Sequence, residues 1–478
     1  MISPYALIYL VAYMAPAVVG FLALILYTHL LSPEEYGLYV IGASIAGVVA
    51  AVFFAWVRLS VSRYQARSPE LDLRAEAIVA YGAAAVVVVC LTPVAILIIR
   101  PNVGFGIVAG SLLLSLSITA FEISQEFRRA RLNPFRFTAI AVFRSVLGLT
   151  LGLVAIELGG GGAGLLIAIG ASFLVANVVG FQRNAARPLR RPSVEQLTEF
   201  VRYGLPFSLG ALAFALHNAA DRLGVAYLLG QSGAGYYGLA AEMTRQLMAI
   251  LAASVASAMF PLAFRSLAQT GPAATRERLK EGVELLLALI VPVAVWLAIC
   301  ADAVTGVLLG KGFQIGVAAL LPLLAFGRMC GAVNQYYLQV SFQLAEKPLL
   351  QVAHDVFILM LNLTLLFPLT LAFGLRGTAA AVLVAEAVGI ALGIALSRRA
   401  FKLPLNGWGI ARVLVSCAIM AVVIYAAKTA LNGHGMFALA VATGAGGVAY
   451  AASALLLDVA GVRSALAGFM RPRRIAAG

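Results

Sequence analysis

Apolar residues in this chain form long unbroken runs separated by short polar links. The pattern is neither the two-residue alternation of a half-buried strand nor the one-sided stripe of a soluble helix. About 20 consecutive apolar residues cross roughly 30 Å of hydrocarbon as a helix. Fourteen such runs occur, near 5–27, 37–57, 77–99, 104–124, 137–158, 163–182, 204–229, 237–264, 283–301, 317–342, 351–373, 378–397, 410–430 and 437–457. Lipid offers no water to backbone amides, so each run must satisfy its hydrogen bonds internally as a helix. The predicted fold class is an all-α integral membrane protein with about 14 transmembrane helices. The tightest links are Gly159–Gly162 and Gly374–Gly377. The first run lacks a basic leader and an A-x-A-like cleavage site, and is expected to be a retained span.

Composition agrees: 62% of the 478 residues are hydrophobic and 11% charged, with mean hydropathy +0.97. Soluble domains carry about 25% charged residues, so a soluble enzyme, a nucleic-acid-binding module and a disordered scaffold are excluded. Cys90, Cys300, Cys330 and Cys417 fall inside apolar runs without metal-ligand spacing and read as small buried hydrophobes. The net charge of +14 acquires meaning from its location. If the N-terminus is cytoplasmic, inside links hold 25 of the 34 Lys and Arg, and outside links only Arg100, Lys311 and Arg376. Cationic loops stay in the cytoplasm, so both termini are expected inside and the charge is mostly topogenic, with no nucleic-acid partner. No link exceeds about 20 residues, which leaves no room for a soluble domain.

The chain echoes itself. Leu30-Leu31-Ser32-Pro33-Glu34-Glu35-Tyr36-Gly37-Leu38 follows the first run, and Leu228-Leu229-Gly230-Gln231-Ser232-Gly233-Ala234-Gly235-Tyr236-Tyr237-Gly238-Leu239 follows the seventh. Both preceding runs contain a proline, Pro16 and Pro206, and Asn133-Pro134 before the fifth run answers Lys347-Pro348 before the eleventh. The expected organisation is an N-terminal six-helix bundle at 1–200 and a C-terminal six-helix bundle at 201–400. Helices 13 and 14 and a basic tail would follow at 401–478. Ser32 and Glu35 are spaced as a capping box with Pro33 at the first helical position, so this motif reads as a helix start as well as a candidate contact.

The pattern L-S-P-E-E-Y-G-L-Y, and the later Asp221-Arg222 with Leu229-Gly230 and Gly235-Tyr236-Tyr237-Gly238-Leu239-Ala240, resembles one transporter group. It is the polysaccharide transporter branch, the O-antigen and exopolysaccharide flippases, of the multidrug/oligosaccharidyl-lipid/polysaccharide exporter (MOP) superfamily. The resemblance covers the whole chain and implies a V-shaped alternating-access transporter in the bacterial inner membrane. It implies a flippase that moves undecaprenyl-diphosphate-linked oligosaccharide from the cytoplasmic to the periplasmic leaflet for surface polysaccharide biosynthesis. Polysaccharide polymerase or export machinery are the partners such a flippase would have. No motif separates this branch from lipid II flippases or from multidrug and toxin extruders.

Ionisable groups inside spans are costly and normally face protein or water, which makes them site candidates. The seventh run holds His217, Asn218, Asp221 and Arg222, and the eighth holds Glu242, Arg245 and Gln246 at similar depth. Cross-pairing would neutralise them. Alternatively Arg222 and Arg245 meet a diphosphate, whose oxygens fit a guanidinium fork, while Asp221 and Glu242 bind a coupling H+ or Na+. Arg144 in the fifth run either meets the incoming diphosphate or snorkels to the interface. Arg328 lies deep in the tenth run, where Gln335 and Gln339 are expected to share its face. Asp355 reads as shallow, and Glu386 as a deep carboxylate suited to a proton.

No nucleophile–base pair, metal-ligand cluster or Walker loop occurs, so neither enzyme activity nor a cofactor is expected. The alternatives are an ion-coupled small-molecule or drug exporter of the same fold, which would depend on acids where a flippase depends on arginines, and a membrane-embedded glycan polymerase, which would need a long outer loop.

Overall fold

The computed structural model describes residues 4–67, 71–99, 104–130, 133–181, 190–404, 406–431 and 435–463. Arg100, Arg131, Arg183, Arg187, Arg471, Arg473 and Arg474, used above for orientation, lie outside these ranges. The chain is an all-helical membrane protein, with no strand among the described residues. Its first seven helices are α1 (Pro4–Leu30), α2 (Pro33–Phe53), α3 (Ala55–Arg67), α4 (Arg74–Ile99), α5 (Phe105–Ala130), α6 (Pro134–Glu157) and α7 (Gly161–Phe181). Then come α8 (Val194–Thr270), α9 (Pro272–Ile299), α10 (Ala301–Leu308), α11 (Gln314–Ala318) and α12 (Leu321–Val333). A π-helical turn, Asn334–Leu338, leads into α13 (Gln339–Leu344), α14 (Pro348–Ser397), α15 (Gly407–Ala430) and α16 (Met436–Leu456).

Ten helices among the described residues are long and apolar enough to cross a membrane. Two of them, α8 and α14, are each a pair of rods joined at one residue. Gly230 has φ 77° and ψ −171°, and Gly374 has φ 59° and ψ −141°. Only glycine visits that region without strain, so the chain reverses there without a polar loop. Outward-facing Val86, Leu371, Val422 and Val448 are more than half exposed, which water would penalise and lipid does not.

Two expected spans are drawn differently. The run 37–57 becomes a helix ending at Phe53, after which Phe54 leaves helical geometry (φ −125°) and α3 begins. Arg58, Arg63 and Arg67 make α3 polar on one side, while Val57 and Val61 are fully buried on the other. The run 317–342, expected as one helix, is divided into α11, α12, the π turn and α13.

Contacts cluster into two compact units, Met1–Leu239 and Ala240–Gly478, whose boundary falls inside α8. In the first unit α7 packs on α5 and α6, α2 lies on α5 and α7, and α1 lies on α6. Its core joins Ala46, Ile107, Leu114, Phe121, Leu166 and Phe173, with the Phe121 and Phe173 rings edge-on at 5.3 Å. Lipid is as apolar as these side chains, so close packing holds the helices together where water exclusion cannot. In the second unit α12 packs on α9 and α14, and α15 on α9 and α16.

The two echoing motifs meet inside the first unit. A Cβ on Gly37 would strike the backbone oxygen of Gln231, and one on Gly235 would strike that of Pro33, so the backbones touch. Ser232 Oγ donates to Glu34 Oε1 at 3.2 Å. Ser32 caps α2, its Oγ accepting from Glu35 N at 3.2 Å. Glu35 does not close the capping box back onto Ser32 as spaced; its Oε2 accepts from Gly162 N at 2.6 Å, tying α2 to α7.

Candidate functional site

Several polar side chains are held inside the spans. Arg144 lies ten residues into α6, about 15 Å from its start at 1.5 Å per residue. Its guanidinium carbon stands 4.6 Å from the centre of the Phe173 ring, and Nη2 donates to Ser145 Oγ at 2.7 Å. Tyr27 and Tyr39 also lie near it. No carboxylate approaches it among the described residues. A cation held on aromatic faces keeps its charge available for an anion.

On α8, Asp221 is 1% exposed and accepts the Tyr237 hydroxyl at 3.1 Å. Its neighbour Arg222 is half-buried. Asn218 bonds its own helix, Nδ2 to Phe214 O at 2.8 Å. Further along, in the second unit, Glu242 forms an ion pair with Arg245 Nη2. Arg245 Nε donates to Glu242 Oε2 at 3.0 Å, and Gln246 Nε2 to Oε1 at 2.9 Å. Arg245 also lies near Tyr336. Two of the acids put forward for ion coupling are therefore each engaged by a side chain of α8.

The deepest polar cluster of the second unit lies where α12 and the π turn meet α14. Glu386 is 4% exposed; Asn334 Nδ2 donates to its Oε2 at 2.7 Å and to its backbone oxygen at 2.9 Å. His354 is fully buried, with Nε2 2.9 Å from Gly389 O and Nδ1 3.4 Å from Asp355 Oδ1. Gln339 Nε2 donates to Asp355 Oδ1 at 3.1 Å, and Gln339 Oε1 accepts from Gln351 Nε2 at 3.1 Å. Arg328 is 7% exposed.

Helical spacing puts Arg328, Gln335 and Gln339 on one face; the structure parts them. Arg328 is buried, Gln335 exposed, and Gln339 committed to the Asp355 chain. A π turn at Asn334–Leu338 lies between Arg328 and Gln339. An extra residue per turn rotates everything after it, and such turns recur at functional sites. Asn334, the first residue of the turn, bonds Glu386, a pairing that spacing did not reveal.

Other buried charges went unnoticed in the sequence. Glu284 receives Asn406 Nδ2 at 2.9 Å and Ala460 N at 2.9 Å. Glu76, fully buried, receives Ser193 N at 3.0 Å. Each is an acid at the head of an apolar run, a signal readable in principle, but the partners lie more than 100 residues away.

Residues 26–317 match the family described as polysaccharide biosynthesis protein. Among solved structures, the lipid II flippase MurJ in an inward closed conformation aligns with TM-score 0.78 at 13% identity, covering 96% of this chain and 99% of that one. An inward-facing multidrug resistance MATE family transporter of the MOP superfamily aligns with TM-score 0.64 at 16% identity, covering 81% and 97%. A MOP superfamily transporter from Pyrococcus furiosus aligns with TM-score 0.55 at 15% identity, covering 82% and 93%. No curated protein matches the chain. At such identities the structural likeness establishes the fold.

Proposed function

The chain belongs to the polysaccharide biosynthesis protein family, and on that premise we propose that it is a flippase for undecaprenyl-diphosphate-linked oligosaccharide. It would work by alternating access in the bacterial inner membrane, with fourteen spans, six-helix bundles at 1–200 and 201–400, and both termini cytoplasmic.

The observation that carries this reading is Arg144. A guanidinium deep in a span, seated on Phe173 and without a carboxylate among the described residues, is a place for an anion. The diphosphate supplies one. Arg222, Arg245 and Arg328, with Gln335 and Gln339, are the further substrate contacts in this scheme. An apolar cavity of about 410 Å³ in the second unit, walled by Leu287, Val291, Phe326, Ile410, Val413 and Cys417, suits an isoprenoid chain. Coupling to H+ or Na+ falls to Asp221, Glu242 or Glu386; Glu386 lies deep in its span and takes an amide bond from Asn334.

A drug exporter of the same fold is the weaker reading. Cationic drugs need an available acid, and the three candidates Asp221, Glu242 and Glu386 each accept from a side chain.

The test is the leaflet distribution of lipid-linked oligosaccharide in cells lacking the protein, complemented by wild type, Arg144→Ala or Arg328→Ala. Cytoplasmic-leaflet accumulation, cured by wild type and poorly by Arg144→Ala, is the expected result. An unchanged distribution in the deletion strain overturns the flippase. Full rescue by Arg144→Ala removes that residue from the site.

A further inference from the structure

A second basic feature lies in the first unit, at the Arg128 end of α5. Helices α4, α5 and α7 enclose a cavity of about 230 Å³, lined by Arg74, Ala77, Ile78, Tyr81, Ala120, Ile123, Ser124, Phe127, Arg128, Asn177 and Gly180. Its charged and apolar walls are segregated along the helix axes. Arg74 opens α4, Arg128 stands two residues before the end of α5, and Gly180 one before the end of α7. The guanidinium end is therefore at the depth where spans leave the hydrocarbon. Tyr81, Ile123 and Ala120 lie one to two turns further in, and Ile78 is 48% exposed toward the surroundings.

The two arginines differ. Arg74 is matched by Asp72, with Nε 2.8 Å from Oδ1 and Nη2 2.6 Å from Oδ2. Arg128 is 8% exposed and has no carboxylate partner among the described residues. Its side-chain hydrogen bond runs from Nη1 to Gln125 Oε1 at 2.7 Å, and Gln125 is oriented in turn by donating to Phe137 O at 3.2 Å. The charged neighbour that acts on it is another cation, Arg136. A buried guanidinium beside a second one is costly unless an anion joins them. Ser124 Oγ donates to Asn177 Oδ1 at 2.5 Å, which leaves the Asn177 amide nitrogen as a further donor on the same wall.

We propose that this cavity is a binding site for an anionic glycerophospholipid, with its phosphate on Arg128 and an acyl chain along Tyr81, Ala120 and Ile123. Charge complementarity selects the head and the apolar depth selects the tail; basic pockets between spans on the cytoplasmic side bind lipid head groups in this way. The links at this end carry the basic residues that positive-inside counting assigns to the cytoplasm. The site is independent of the transported substrate, so it stands or falls separately from the flippase.

The test uses the purified full-length protein in nanodiscs of phosphatidylcholine doped with phosphatidylglycerol, with retained lipid counted by native mass spectrometry after detergent extraction. Wild type should retain phosphatidylglycerol in preference to phosphatidylcholine. Arg128→Gln should lower that retention by about tenfold, the loss expected for one charge-assisted contact. Two variants keep the arginine. Ala120→Phe fills the apolar depth, and Gly180→Ala places a methyl against the Arg128 Nη2; both should lose the lipid while eluting as monodisperse protein. Equal retention of the two lipids by wild type, or unchanged retention by Arg128→Gln, overturns the proposal. So does displacement of the lipid by millimolar inorganic phosphate together with full retention by Ala120→Phe, which would make the site one for free phosphate.

Discussion

Arg144 and Arg245 are both arginines inside apolar spans, one in each compact unit, and their surroundings are opposite. Arg144 rests on the Phe173 ring and a serine hydroxyl. Arg245 is clamped by Glu242 one turn earlier on its own helix, and Gln246 holds the same carboxylate. The first has no acid beside it among the described residues, whereas the second has most of its charge neutralised locally. Residue type and depth therefore do not tell a neutralised arginine from one without an acid; its neighbours do.

The largest expected effect breaks the comparison on the Arg144 side. Arg144→Ala should lower flipping, measured by leaflet-resolved lipid-linked oligosaccharide, by at least about tenfold with little change in protein yield. Arg144→Lys should recover only part, because an ammonium cannot lie flat on Phe173. Next, Asn334→Ala should destabilise the protein by about 2 kcal/mol in detergent thermal unfolding, since it strips a donor from the buried Glu386 carboxylate. That would mark the second unit's polar cluster as structural. A loss of flipping without a fall in Tm would mark it as functional instead.

A double-mutant cycle of Glu242→Ala and Arg245→Ala sharpens the contrast. Arg245 is 43% exposed along its side chain, so solvent screening limits the coupling to about 0.5–1 kcal/mol. The smallest effect concerns Lys428 and Asp302, 2.6 Å apart. Burial works against the Asp302 charge, yet the Lys428 ammonium outweighs it and holds the carboxyl below its ordinary 3.8. A depressed carboxylate stabilises above its unfolded pKa and loses that contribution as pH falls through the folded value. Wild type and Lys428→Ala should thus differ in Tm slightly at neutral pH and converge well below pH 3.8.

The helical membrane fold was legible because apolar runs of span length leave no other backbone solution. The start of α2 was equally plain from Ser32 and Pro33. What the sequence concealed were events that break periodicity. Nothing in Asn334-Gln335-Tyr336-Tyr337-Leu338 announces a π turn, and that turn shifts Gln339 out of the register counted from Arg328. Partner choice was hidden too. Asp221 takes Tyr237, sixteen residues on, and Glu284 takes Ala460, because distant contacts depend on how helices pack. Arg128 was counted only as a topogenic charge; its burial against α4 and α7 is invisible to a count.

The touching backbones at Gly37 and Gly235 bear on the protein's heredity. Two copies of a motif that lay apart could drift separately, each tolerating its own substitutions. Here each copy is the wall against which the other is fitted, so a methyl gained at either position collides with the opposite strand of inheritance. Each motif thus limits the other through its main chain, and neither glycine has room to gain so much as a methyl group.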